Sequence, residues 1–287
     1  MESLLDCATN VVRAQIDLLV ADATRLRVPR QLGERQRIAN APFHPLPELF
    51  LQIAGTTEFT FPEERIVLAP GELCIVPRLL PHGERVRSGP DRFGNLVLML
   101  DPSVSVHRAA ESPIQRNRPY VAEAVRLTEI DPARLAADLD RIVAQVRSAP
   151  EAAHYRMLAL LSDLLVLFRD ARRVEPSGHP LGSRARTQVL LNLSDPRLSV
   201  SRLAAWLGCS ADYLSHLFHR ETNERLSRFI SRHRVSRAEG LLTESTLTIS
   251  EVAWASGFDD PAYFSRVFRA HAGDSPRAYR KSGGRTG

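Results

Sequence analysis

Leu198-Ser199-Val200-Ser201-Arg202-Leu203-Ala204, followed by Gly208, Tyr213-Leu214-Ser215 and Phe218, is written again about fifty residues later as Leu247-Thr248-Ile249-Ser250-Glu251-Val252-Ala253, Gly257, Tyr263-Phe264-Ser265 and Phe268. Each copy predicts a short helix behind a hydroxyl cap, Ser199 or Thr248, and Thr248 with Glu251 has capping-box spacing. Gly208 and Gly257 suit the left-handed residue of a tight turn. A second helix then starts at Ser210 or at Asp260, the latter with Pro261 at its first position. The unit is helix, turn, helix, and it occurs twice.

The second helix of each unit divides into two faces. Tyr213, Leu214, Leu217 and Phe218, and likewise Tyr263, Phe264, Val267 and Phe268, are expected to face inward. Ala211, Asp212, Ser215, His216, His219 and Arg220 in the first, and Ala262, Ser265, Arg266 and Arg269 in the second, are expected to face outward. Short side chains mixed with hydrogen-bonding ones let a helix enter a DNA major groove and reach base edges. Arg266 is the strongest of these candidates, because guanidinium binds guanine through two hydrogen bonds. Arg220, Arg269, Arg277 and Arg280 are the candidates for phosphate contact. A helix predicted over 224–242 would hold the two units one helical turn of DNA apart.

The rest of the chain differs in charge. From Arg184 onward 16 Arg and Lys face 10 Asp and Glu, whereas the remaining 22 basic and 23 acidic residues balance. A basic C-terminal third points to a polyanion partner. At 287 residues, 44% hydrophobic and 25% charged, the chain has room for two domains with separate cores. Cys7, Cys74 and Cys209 are widely spaced, which argues against a disulfide framework and a thiolate zinc site and predicts a reducing compartment. No membrane-spanning run or signal peptide is apparent, so a cytoplasmic protein is expected.

Apolar spacing predicts an amphipathic helix within residues 1–25. Between about 27 and 99, short apolar runs (49–51, 59–61, 66–68, 73–76, 96–99) separated by turn residues predict a compact antiparallel barrel or sandwich. Asp131-Pro132 opens a helix with Leu135, Leu139 and Ile142 on one stripe. A second helix, around 157–168, is apolar nearly all round. The two form either a hairpin covering the barrel or a dimer contact, with dimerisation favoured. Residues 172–186, polar and rich in Pro and Gly, read as a linker. The expected organisation is α+β, with a β-barrel and dimerisation domain at 1–172, a linker at 173–186 and an all-α domain at 187–282.

From Gly257-Phe258-Asp259-Asp260-Pro261-Ala262-Tyr263-Phe264-Ser265-Arg266-Val267-Phe268 through Gly273, Ser275-Pro276 and Tyr279-Arg280, the sequence closely resembles the C-terminal signature of the AraC/XylS family of transcription regulators. The first half resembles the cupin barrel that serves as a sensor in many bacterial regulators. His44, Glu48 and Gly55 match part of one cupin motif, and Gly71, Pro77 and His82 part of another. Pro42, Leu79 and Val86 depart from those motifs, Leu79 standing where glycine is usual.

The resemblance implies a non-enzymatic regulator that binds double-stranded promoter DNA as a homodimer, with Asp212, Ser215, His216, Ala262, Ser265 and Arg266 at the base edges and RNA polymerase a further partner. A small-molecule effector would bind in the barrel, with Glu48, Arg78 and His82 as its polar groups and no cofactor. The competing reading joins His44, Glu48 and His82 on a divalent metal, as in a cupin-type oxygenase or isomerase fused to a DNA-binding tail.

Overall fold

The computed structural model describes residues 3–30, 44, 46–89, 93–100, 104–111, 119–127, 131–170 and 180–283. They form two compact units, one from the described residues up to Asp170 and one from Pro180 onward. The mixed α+β class follows from a β-rich N-terminal unit and a helical C-terminal one. Among the described residues no helix is long and apolar enough to cross a membrane.

The N-terminal unit opens with α1 (Leu4–Ala21), whose start is fixed by a capping box between Ser3 and Asp6. Strands β1 (Leu26–Arg27), β2 (Glu48–Ala54), β3 (Thr56–Thr60), β4 (Arg65–Leu68), β5 (Leu73–Val76), β6 (Gly83–Arg87), β7 (Gly94–Met99), β8 (Ser105–Glu111) and β9 (Pro119–Arg126) follow. They form a six-stranded sheet in the order β1-β5-β2-β7-β8-β9 and a three-stranded sheet in the order β4-β3-β6. All pairings are antiparallel except β1 with β5. Helices α2 (Pro132–Gln145) and α3 (Pro150–Asp170) complete the unit, and Asp131 caps α2 through the Ala133 amide as expected.

Alternation along the strands sorts the larger sheet into two faces. Leu49, Leu51, Leu73, Ile75, Leu96, Leu98 and Val106 join the helices in one core with Leu4, Val12, Leu139, Met157, Leu161 and Phe168. Their neighbours Glu48, Phe50, Gln52, Cys74, Asn95 and His107 are also buried, on the opposite face. Phe50 there meets Phe59 of the smaller sheet edge to face at 4.9 Å. Most of the broad apolar surface of α3 is taken up inside the unit, leaving Tyr155 and Val166 exposed.

The C-terminal unit contains α4 (Pro180–Leu191), α5 (Val200–Leu207), α6 (Ala211–Thr222), α7 (Leu226–Glu244), α8 (Ile249–Ala255), α9 (Pro261–Ala272) and α10 (Pro276–Lys281). Helix α4 corrects the linker: its first seven residues lie in the segment read as connecting chain. Ala185 and Val189 bury one side of α4 against α5 and α6, a sparse stripe that the flanking Pro and Gly hide in the sequence. Residues 173–179 and Pro42 lie outside the described residues.

Candidate functional site

Both duplicated units form the expected caps. Ser199 Oγ accepts from the Arg202 amide and Ser210 Oγ from the Tyr213 amide, each at 3.2 Å. Thr248 and Glu251 complete a capping box, and Asp260 accepts from the Ala262 amide at 2.8 Å. Gly208 and Gly257 take φ of 71° and 83°, the left-handed conformation that glycine adopts without a Cβ penalty. These turns set α6 on α5 and α9 on α8.

Leu214, Leu217 and Phe218 anchor α6; Phe264 and Phe268 anchor α9. Asp212, His216 and Arg220 are exposed on α6, as are Ala262, Arg266 and Arg269 on α9. Ser215 and Ser265 are half-buried at corresponding positions, and Ser265 Oγ donates back to the Pro261 carbonyl at 2.9 Å. The six base-contact candidates therefore fall on the open sides of the two helices. Arg277 is exposed near the start of α10.

One expectation needs correction. Tyr213 and Tyr263 are each 50% exposed rather than inward. A residue directly before a buried Leu or Phe sits about 100° round the helix from it, so buried residues spaced three and four apart leave the tyrosine at the rim. The Arg266 guanidinium lies 5.9 Å from the Tyr263 ring centroid, within cation–π range of it. The duplication of this tyrosine at position 213 is the signal that could have singled it out. Arg280 is half-buried and donates from Nε to the Leu242 carbonyl at 3.2 Å, which ties α10 to the end of α7.

In the N-terminal unit, His44, Glu48 and His82 bring one ligand atom each within 4.8 Å of one another. His44 Nε2 lies 3.6 Å from Glu48 Oε1, and His82 Nε2 lies 3.7 Å from Glu48 Oε2. Glu84 joins them, with Oε1 3.5 Å from His82 Nε2. The sequence reading missed Glu84, although it stands two residues after His82, the spacing that puts strand neighbours on one face. His82 Nδ1 is 3.2 Å from the Leu80 carbonyl; a carbonyl only accepts, so Nδ1 carries the proton and Nε2 faces the carboxylates. Burial pulls the His82 imidazolium down, but Glu84 and Glu48 outweigh it and hold its pKa above the ordinary value. Phe50, Phe59 and Phe61 surround the ring at centroid distances of 6.1 to 6.5 Å.

Arg78 is not part of this cluster. It is exposed and pairs with Asp140 of α2, beside a groove of about 340 Å³ lined also by Pro29, Pro77, Val143 and Arg147. Leu79 adopts φ of 61°, and its amide donates to the His44 carbonyl at 2.7 Å. That left-handed backbone is one that glycine adopts at no steric cost and leucine rarely does.

A family described as a helix-turn-helix domain matches residues 203–282. The transcriptional regulatory protein YesN of Bacillus subtilis is 34% identical over 125 residues, 41% of this chain and 33% of that protein. The arabinose operon regulatory protein of Salmonella typhimurium is 32% identical over 134 residues, 45% of this chain and 48% of that protein. The matched region thus spans between a third and a half of these two relatives, both regulators by name. Among solved structures, the C-terminal domain of the response regulator AraT from Geobacillus stearothermophilus is 30% identical over 37% of this chain and 88% of that one, with a TM-score of 0.37.

Proposed function

We propose, from a C-terminal region that is an AraC-type helix-turn-helix domain, that the chain is a sequence-specific regulator of transcription controlled by an effector bound in its N-terminal unit. The observation that carries this reading is the pair of recognition helices, α6 and α9, with polar side chains on matching open faces above buried anchors. Asp212, Ser215 and His216 on α6, and Ala262, Ser265 and Arg266 on α9, are assigned to base edges of double-stranded promoter DNA. Arg220, Arg269, Arg277 and Arg280 are assigned to phosphates; the bond from Arg280 Nε to the Leu242 carbonyl takes one of the five donors of its guanidinium. Arg277→Ala should weaken all sequences alike and lower the salt dependence by about one counterion, whereas Arg266→Ala should relax one base position. Fluorescence anisotropy on selected and scrambled duplexes separates the two outcomes, and absence of any sequence preference in the unmodified protein would sink the reading.

The effector would act by holding a different population of arrangements of the two units, which needs differential affinity for two states. A homodimer through the exposed Tyr155 and Val166 side of α3, and contact with RNA polymerase, belong to the same proposal. Glu48 and His82, buried among three phenylalanines, support a small-molecule pocket of mixed apolar and polar character.

The convergence of His44, Glu48 and His82 favours a second reading of that unit, in which it holds a divalent metal. Their separations of 3.6 and 3.7 Å exceed hydrogen-bond length but approach the edge of a tetrahedron with bonds of about 2.1 Å. Two imidazoles and a carboxylate suit zinc or ferrous iron. His44, Glu48 and His82 would hold the ion, which when bound supplies a Lewis-acidic centre. Metal analysis of the purified full chain distinguishes the readings: stoichiometric metal lost in His44→Ala and His82→Ala supports the second, and metal absent or unaffected by them leaves the organic-effector pocket.

A further inference from the structure

The two helix-turn-helix units meet at one backbone carbonyl. The core of the first unit is built from residues between Ala185 and Ile230. The second has its own aromatic packing, Phe258 on Phe264 at 5.2 Å, Phe264 on Phe268 at 5.6 Å and Phe268 on Tyr279 at 5.4 Å. Helix α7 runs from one core to the other, and Arg234 stands on it four residues beyond Ile230, at the seam.

Arg234 reaches into the turn that follows α4. Its Nε donates to the Leu193 carbonyl at 3.0 Å and its Nη2 to the Asp195 carbonyl at 2.7 Å. Carbonyls just past a helix end lack helical donors and need such partners. The same guanidinium lies 5.7 Å from the ring centroid of Phe258, a residue that also packs on Tyr263 at 6.2 Å. The Asp195 carboxylate is 4.0 Å from Arg202 on α5. One planar cation therefore links the lead-in to the first unit with the floor of the second recognition helix. Burial pulls its pKa down to about 10, so it stays charged at neutral pH.

Gly257 closes the seam from the other side. A Cβ there would collide with the Leu193 carbonyl oxygen and come within 2.7 Å of Arg234 Nε. The turn of the second unit is thus pressed against the same carbonyl that Arg234 holds. Lysine could not replace this arrangement, since it offers neither the two-pronged donor nor the flat face.

We propose that Arg234 is a positioning residue for DNA recognition: by clamping the Leu193–Asp195 turn and Phe258 together it fixes the separation and angle of α6 and α9, and so sets the spacing between operator segments that the chain accepts. This rests on the reading that both helices enter DNA. A relative rotation at the seam would carry α9 out of register with its segment, because each base pair advances about 3.4 Å and turns about 35°.

The test uses the full chain and an operator recovered by binding-site selection, at its native spacing and with one base pair inserted or removed between the two contacted segments. The unmodified protein should lose about tenfold or more in affinity on either change, the scale of one mismatched contact. Arg234→Gln and Arg234→Lys, checked for folding by circular dichroism, should bind the native spacing more weakly and show a spacing penalty of only about threefold. Arg269→Gln is the control, weakening all three duplexes by one common factor. Folded Arg234 variants that keep the full spacing penalty would overturn the proposal. So would failure of even the lysine variant to fold, since Arg234 would then serve the domain's fold at large. Footprints of the unmodified protein showing only one contacted segment would instead break the two-helix reading on which the proposal stands.

Discussion

The two helix-turn-helix copies share a pattern but not a setting. Gly208 and Gly257 both take positive φ, yet a Cβ on Gly208 would meet open space while one on Gly257 would strike the Leu193 backbone. The outward faces differ as well, Asp212 and His216 in the first against Ala262 and Arg266 in the second. A repeated motif thus specifies the same local fold twice, and what surrounds each copy decides what its residues can tolerate. The first copy stands more open at its turn and is less basic on its outward face; the second is docked by its turn and carries the arginine best suited to guanine.

The largest expected contrast lies at those glycines. Gly257→Ala should cost ~3 kcal/mol or more, because strain at positive φ adds to a clash with backbone that has nowhere to go. Gly208→Ala should cost about 1 kcal/mol, the left-handed penalty alone. Chemical denaturation of both variants checks this, and equal losses would mean that the second turn is not pressed on Leu193.

Next comes the outward face. Arg266→Ala should weaken specific DNA binding by ~1 to 3 kcal/mol and relax one base position, while His216→Ala should cost less, since an imidazole cannot offer the two parallel donors that a guanidinium presents to guanine. Binding-site selection on both variants measures it, and a larger effect at His216 would reverse the ranking of the copies. Tyr263→Ala should lose about 0.5 to 1 kcal/mol of DNA affinity through the aim of Arg266, with Tyr263→Phe retaining it. Unchanged binding by the alanine variant would remove Tyr263 from the site.

The caps give the smallest contrast. Thr248→Ala removes one side of a reciprocal box and Ser199→Ala a single cap, so thermal unfolding should show losses of about 1 kcal/mol for each, with the threonine variant the worse by a few tenths.

The C-terminal unit was largely legible because its devices are local: caps, turn glycines and residues spaced by three and four act within a few positions of one another. What escaped there depends on contacts across the fold. Arg280 looks like a surface arginine until Leu242 is placed beside it, and Arg234 like one more charge on a basic helix until the turn after α4 comes back to meet it. Tyr213 and Tyr263 were misread because aromatic character was taken for burial, although the buried residues beside them already fill the inward stripe.

In the N-terminal unit, the strands with dense apolar runs were visible and β8 and β9 were not. Their sequences, Ser105 to Glu111 and Pro119 to Arg126, are rich in Ala, Arg and Glu; β8 pairs along the edge of β7, and β9 along that of β8. His44, Glu48 and His82 were read together from their order in the chain, whereas Glu84 entered only once β6 was known to present it beside His82. Arg78 reads in the sequence as one more polar group for the barrel, and its partner outside the cluster, Asp140, lies sixty-two residues on.

The central claim is that α6 and α9 read one operator together. Hydroxyl-radical footprinting of the full chain on a duplex from binding-site selection tests it most directly. Two protected segments on one face of the DNA are expected, about one helical turn apart, with Arg266→Ala altering protection in only one of them. Protection confined to a single segment, or an Arg266→Ala footprint identical to that of the unmodified protein, would contradict it.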